Sequence, residues 1–157
     1  MKNLLLVVTG VVISGIIAIP VSGSQDRGAE STRDRFVGAW RLAWLEEPDA
    51  GGTVQRPDCT GLLVYSRDGH MSVQVMYRSE QRANSGAPVQ YAQGGYEASF
   101  GRFDVDDSHT FTFHVEGALV RSLIGKDLRR VYEFSGKQLI VKSPDPKEGW
   151  RVAWERY

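Results

Sequence analysis

The chain has 157 residues, of which 41% are hydrophobic and 24% are charged, and its formal net charge at pH 7 is +0. This length and balance are typical of one globular domain. Because the charges cancel and form no long run of one sign, the composition gives no basis for binding nucleic acid or an anionic membrane surface.

The N-terminus has the layout of a secretory signal peptide. Lys2 supplies a positive start, residues 4–19 are almost wholly apolar, and Pro20 ends any helix before a stretch of small residues. The apolar run is shorter than the roughly 20 residues of a membrane span, although a retained N-terminal anchor is the alternative. We predict a signal peptide over residues 1–23, and a periplasmic or secreted protein with no membrane contact after cleavage.

Residues 24–34 are polar and are predicted to form a flexible lead-in, with a short helical turn near Thr32. In residues 35–157, apolar and polar residues alternate in short segments, which is the pattern of half-buried β-strands. Turn signals such as RDG at 67–69 separate the segments, and residues 78–95 form one long polar connection. The predicted strands, in chain order, are VGAWRLAWLEE, TGLLVYS, HMSVQVMY, YEASFGRFDV, HTFTFHVEGALV, LRRVYEF, QLIVKS and WRVAWERY.

Strands joined mostly by short turns, with no helix long enough to cover a sheet, predict an all-β fold. Eight such strands close naturally into a single antiparallel up-and-down barrel, because closure leaves no exposed edge. A barrel of this size either holds one small ligand or fills itself with side chains.

Four tryptophans fall on the first and last predicted strands, which are neighbours in a closed barrel. Alternation places Trp40, Trp44, Trp150 and Trp154 on the inward faces. They either pack one barrel end shut or, through Trp44 and Trp150, line a cavity for an apolar ligand.

The same alternation predicts which other residues line the lumen. The residues predicted to line it are Met71, Val73, Val75, Phe111, Phe113, Arg130, Tyr132 and Phe134. Arg130 shares the facing of Tyr132, and a buried arginine needs a partner because an unpaired buried charge is costly. Glu116, a ligand carboxylate, or water at the barrel rim could fill that role.

His114 and Glu116 lie two residues apart on one strand and could form a proton-transfer pair. If Phe113 and Val115 face the lumen, both side chains face solvent instead. Gly117 follows at once, and a bulge there could turn Glu116 toward the barrel mouth. Both readings stay open at this stage.

The sequence predicts no metal site and no cofactor. Its three histidines are scattered, and Cys59, the only cysteine, has no histidine or cysteine nearby. That thiol also lacks a neighbouring base that would make it a nucleophile. Phosphate-binding and dinucleotide-binding glycine motifs are missing as well.

The stretch FVGAWRL at 36–42 carries Gly38-x-Trp40, the glycine–tryptophan signature on the first strand of lipocalins. Together with GLLVYSRDGHMSVQVM, YEASFGRFDVDD, HVEGAL and LRRVYEFSGKQLIV, it resembles the bacterial and fungal lipocalin-like domain proteins over residues 35–157. The resemblance implies an eight-stranded barrel with a small-molecule cavity, and makes Trp40 the candidate plug of one barrel end. Some members lie beside natural-product biosynthesis enzymes and are thought to assist cyclisation or isomerisation, a setting from which a signal peptide separates this chain.

Three functional hypotheses follow. The first is an exported lipocalin-like protein that binds a small hydrophobic or amphipathic ligand in its lumen, with Arg130 as polar anchor. The second is a cofactor-free isomerase or cyclase that uses His114 and Glu116, which requires both side chains in the cavity. The third is an interaction or structural barrel filled by its own tryptophans, which requires that no cavity be large enough for a ligand. The oligomeric state is not predicted.

Overall fold

The structure is a computed structural model that describes residues 32–49, 51–78 and 95–157. The predicted signal peptide, most of the lead-in and most of the connection predicted over 78–95 lie outside the described residues. Within the described ranges, no helix is long and apolar enough to cross a membrane.

A short helical segment at residues 32–36 precedes the strands, where the sequence predicts a helical turn. The strands are β1 (Gly38–Pro48), β2 (Val54–Gln55), β3 (Cys59–Tyr65), β4 (His70–Tyr77), β5 (Tyr96–Val105), β6 (Thr110–Ala118), β7 (Asp127–Ser135), β8 (Gln138–Lys142) and β9 (Arg151–Arg156). A single 3₁₀ turn, Arg121–Leu123, lies between β6 and β7.

Every strand except β2 belongs to a closed antiparallel barrel, in which each strand pairs with the next and β9 returns to β1. The predicted eight-stranded up-and-down barrel is therefore confirmed. The additional strand β2 pairs with the end of β1 through Gln55 and Val54. Alternation did not predict it, because two residues are too few to show a period.

Phe36, at the end of the helical segment, closes one end of the barrel. Its ring is 0% exposed and lies 4.8 to 5.9 Å, between centroids, from five inward-facing rings. Those rings are Tyr65, Phe103, Phe111, Tyr132 and Phe134. Most of the pairs are edge-to-face, the geometry that the ring quadrupole favours.

Trp40, in β1, holds the Phe36 segment against the barrel. Its indole N–H donates a hydrogen bond to the Phe36 carbonyl at 2.8 Å, and the Arg156 guanidinium lies 4.3 Å over its ring. Arg156 also donates to the carbonyls of Val37 and Arg35 at 2.7 and 2.5 Å. The role of Trp40 as a plug, which the family resemblance implied, agrees with these contacts.

Gly38 explains the other half of the signature. Its φ of +133° is a backbone conformation that other residues rarely adopt. A Cβ at this position would lie 2.6 Å from a guanidinium nitrogen of Arg156. The glycine therefore leaves the space through which Arg156 reaches the Val37 carbonyl.

A β-bulge changes the facing of β1. Leu42 pairs with Trp154 and Trp44 pairs with Ala153, so Ala43 is an extra residue with no partner on β9. Beyond the bulge, Leu45 takes the inward position and is 2% exposed. The predicted inward facing of Trp44 is therefore wrong.

On the outer wall, Trp44 lies between two arginines. The guanidinium carbons of Arg56 and Arg151 lie 5.0 and 5.4 Å from its ring centroid. Both arginines form ion pairs with the buried Glu46. Hydrogen bonds from Arg151 and Arg56 hold the pKa of the Glu46 carboxyl below its usual value, against the opposing effect of burial.

We predict that Gly38→Ala lowers the free energy of unfolding by roughly 2–4 kcal/mol, because it combines backbone strain with displacement of Arg156. The matched control is Gly52→Ala, which has a φ of +82° but nothing within 4 Å of the new Cβ. Urea unfolding of both variants separates the two contributions. Equal losses in the two variants would contradict a special role for the Arg156 contact.

Candidate functional site

The barrel half away from Phe36 encloses a cavity. The empty space between its side chains amounts to about 740 Å³ including the open mouth, and the centre of a water molecule can move through about 70 Å³ of it. A single buried water needs only about 10–15 Å³ of such space. Among the described residues, Trp150 and Trp154 border this space without filling it, so part of the lumen is empty.

Most of the residues predicted to line the lumen do line this cavity. They are Met71, Val73, Val75, Phe111, Phe113, Arg130 and Trp150. Tyr132 and Phe134 face inward as predicted, but they pack against Phe36 at the closed end and are absent from the cavity wall. Trp44 is also absent from it, because the bulge in β1 turns this side chain to the outer wall.

Sequence reasoning missed several lining residues. They include Leu45, Leu63, Tyr65, Glu97, Ser99, Leu123, Leu128, Val141 and Val152. For Leu63, Leu128 and Val141 the signal was present, since each lies on the inward face of a predicted strand. Leu45 could not be found because it follows the bulge, and Leu123 belongs to the 3₁₀ turn that crosses the cavity end.

Among the described residues that line the cavity, Arg130 is the one with a cationic side chain. Its guanidinium carbon lies 5.2 Å from the Trp150 ring centroid, and it donates one hydrogen bond to the Arg129 carbonyl at 3.0 Å. The Trp150 indole N–H donates in turn to Glu148 at 2.7 Å, which fixes the ring. Burial lowers the pKa of Arg130, opposed by the more distant carboxylates of Glu148 and Glu97. Since arginine pKa values start near 12.5 or above, the guanidinium remains charged at neutral pH.

Three further residues with polar groups line the cavity, namely Tyr65, Glu97 and Ser99. The Ser99 hydroxyl donates to Glu97 at 3.3 Å. Tyr65 is 1% exposed, and no hydrogen bond of its hydroxyl is formed with any described residue. Burial raises the pKa of Tyr65, and the charge of Arg130 partly offsets that rise.

The mouth of the barrel holds a buried carboxylate. Glu47 follows the cavity-lining Leu45 by one inward-facing position, and Tyr77 follows Val75 in the same way. The Tyr77 hydroxyl donates to Glu47 Oε1 at 2.5 Å, while Oε2 is buried without a hydrogen-bond partner among the described residues. Burial therefore raises the pKa of Glu47, although the Tyr77 hydrogen bond opposes the rise.

Cys59 lies in the same inward-facing layer, paired in register with Tyr77. Burial, with smaller contributions from the Glu47 and Asp58 carboxylates, raises the pKa of its thiol to about 12. The thiol is therefore protonated at neutral pH and is not activated as a nucleophile.

The predicted pair His114 and Glu116 lies on the outer wall. His114 Nδ1 lies 2.7 Å from Asp127 Oδ1, and Nε2 lies 3.2 Å from Asp104 Oδ2. A bulge is present beside Gly117, as the sequence suggested, but the extra residue Glu116 remains exposed. The two side chains do not share the cavity, so the isomerase or cyclase hypothesis loses the pair on which it was built.

The bulge at Glu116 has a steric cause. Phe100 pairs with Gly117 and Gly101 with Val115, which leaves Glu116 without a partner on β5. A Cβ at position 101 would lie 2.0 Å from the His114 carbonyl oxygen, so only glycine allows this close approach of the two strands. Among the residues of known placement, no group of His, Cys, Asp and Glu could hold a metal ion.

Comparison with known proteins supports the architecture. A family model described as a lipocalin-like domain matches residues 37–156, which include every barrel strand. No curated protein matches the chain. Among solved structures, the lipoprotein YedD from Klebsiella pneumoniae subsp. pneumoniae MGH 78578 is similar at 12% sequence identity and a TM-score of 0.40; the alignment covers 77% of this chain and 70% of that one.

We predict that the His114–Asp127 pair stabilises the barrel at acidic pH and less so at alkaline pH. The hydrogen bond to Asp127, with a smaller contribution from Asp104, raises the pKa of His114 above its unfolded value. The stabilisation is then complete below the unfolded pKa and is lost as the pH rises through the folded pKa.

A double-mutant cycle with His114→Gln and Asp127→Asn, read by urea unfolding, measures this coupling. We expect a value within the ~0.2–1 kcal/mol typical of exposed ion pairs at pH 5, and a smaller value at pH 9. A coupling free energy that does not change with pH would contradict the prediction.

Proposed function

The chain belongs to the family of lipocalin-like domains, and we propose that it is an exported protein that binds a small apolar or amphipathic ligand in the barrel lumen. The observation that carries the proposal is the cavity, which is open to solvent at one end and walled mainly by apolar side chains. Small-molecule sites commonly combine such walls with a few fixed polar groups. Arg130, Glu97 and Ser99 supply those groups here.

The expected source of affinity is the burial of apolar ligand surface. A ligand that buries about 200 Å² of apolar surface gains roughly 5 kcal/mol at about 25 cal/mol per Å². Association costs at least about 4 kcal/mol of lost translational and rotational freedom. The free energy gained by burying apolar surface is thus nearly cancelled by the cost of association. A polar contact, such as one to Arg130, would then determine how tightly the ligand binds.

Export is the second component of the proposal. It is supported by the positive start, the apolar run and the small residues that follow it within residues 1–24. A lumen that faces the periplasm or the medium would take its ligand from outside the cytoplasm.

A variant that fills the lumen tests the binding proposal. Val73→Trp adds bulk to the cavity wall, whereas Met76→Trp adds the same ring on the outward face of the same strand, where Met76 is 44% exposed. We expect isothermal titration calorimetry with ring-sized apolar compounds, such as indole and 2-naphthol, to detect saturable binding to the wild type and to Met76→Trp. Affinity should fall at least tenfold in Val73→Trp. Equal affinity in both variants would place binding outside the lumen, and no binding by any compound would count against the proposal.

The mass of the protein recovered from an expressing bacterium tests export. When the full-length sequence is expressed, we expect the protein outside the cytoplasm to have the mass of the chain without residues 1–23 or 1–24. The control variant Val8→Arg/Val12→Arg interrupts the apolar run and should remain uncleaved in the cytoplasm. Full-length protein in the membrane fraction would instead indicate a retained N-terminal anchor.

A further inference from the structure

We propose that the lumen selects small monocarboxylic acids, whose carboxylate is bound by the Arg130 guanidinium and the Tyr65 hydroxyl. The inference rests on the proposed function, because it requires a ligand in the cavity. It adds the chemical class of that ligand and assigns a role to Tyr65 in binding.

Among the described residues, no carboxylate forms an ion pair with the half-buried Arg130. No carboxylate of the described residues lies within 4 Å of its guanidinium, and Glu148, one of its more distant acidic neighbours, is committed to the Trp150 indole. A guanidinium carries five N–H donors, of which the Arg129 carbonyl uses one. A half-buried guanidinium without a carboxylate partner is electrostatically unfavourable, and an incoming carboxylate can bind it in the bidentate geometry that arginine favours.

Tyr65 supplies a second hydrogen-bond donor to the same cavity. Its ring is fixed by edge-to-face contacts with Phe36 and Phe103 at 5.1 and 4.7 Å. Its hydroxyl pairs with no described residue, lines the same cavity as Arg130 and lies within that residue's electrostatic influence. Tyr65 on β3 and Arg130 on β7 extend into the cavity from opposite sides of the barrel, so a carboxylate between them could accept hydrogen bonds from both.

The other walls limit the remainder of the ligand. The accessible volume of about 70 Å³ favours a single ring or a short chain over a long acyl chain. The Glu97 carboxylate also lines the cavity, and Arg130 is the one cation among the described lining residues, so a second negative charge on the ligand would meet repulsion and no cation. A monocarboxylate with an apolar ring satisfies both limits.

The test compares acids with amides of the same shape. Isothermal titration calorimetry at pH 7 would use benzoic acid, 4-ethylbenzoic acid and 2-naphthoic acid, each beside its amide, on the signal-free protein. We expect each acid that binds to do so at least tenfold more tightly than its amide. This comparison uses the wild type alone, so it does not depend on the folding of any variant.

Variants then assign the residues. Arg130→Met should remove the preference for acid over amide, and Tyr65→Phe should reduce it severalfold, with folding checked by circular dichroism. Arg129→Met is the matched control, because Arg129 is the neighbouring arginine on the outer wall, beside Asp106 and Asp107, and should leave the preference unchanged.

The outcomes separate this inference from the proposed function. Equal affinity of acid and amide, or tighter binding of benzylamine than of benzoic acid, would overturn the carboxylate proposal while leaving a ligand-binding lumen. Retention of the full preference in Arg130→Met would also overturn it. If none of these compounds binds, and indole and 2-naphthol do not bind either, the proposed function itself fails.

Discussion

The closed end of the barrel depends on hydrogen bonds from Trp40 and Arg156, which hold the backbone around Phe36 in place. Phe36 lies before the first strand, yet its ring occupies the centre of the aromatic cluster that closes the barrel. The hydrogen bond from the Trp40 indole and the two from Arg156 to backbone carbonyls hold the approach to β1 in place. Because Arg156 is the last residue of β9 and Trp40 lies in β1, the same contacts join the two ends of the sheet.

The aromatic core at the closed end of the barrel supplies stability that the cavity end does not need to provide. Large rings supply much of the buried apolar area there, and such area is the main favourable contribution to folding. The opposite end can then tolerate empty volume, a guanidinium and a carboxylate oxygen, Glu47 Oε2, that have no ion-pair or hydrogen-bond partner, respectively, among the described residues. Unfavourable features of this kind accumulate where proteins bind ligands, since stability is provided elsewhere.

Alternation predicted the barrel because every strand but β2 has a buried and an exposed face of period two. It failed where one extra residue interrupts the period. The bulge at Ala43 reverses the facing of Trp44 and Leu45, and nothing within the β1 sequence marks it. By contrast, Gly117 did signal the bulge at Glu116, but not the direction in which that side chain would point. Phe36 was missed because its partners are distant in sequence and only the closed barrel brings them together.

Arg130 shows which features of the site the alternation of apolar and polar residues predicts and which it does not. Sequence reasoning found its inward facing from Tyr132 and expected one of three partners: Glu116, water or a ligand. The bulge removes Glu116 by leaving it exposed on the outer wall. The guanidinium is half-buried against the Trp150 ring, so water reaches only part of it. The proposed carboxylate ligand corresponds to the third partner, and the Tyr65 hydroxyl in the same cavity, which no alternation pattern identifies as available, would be its second donor.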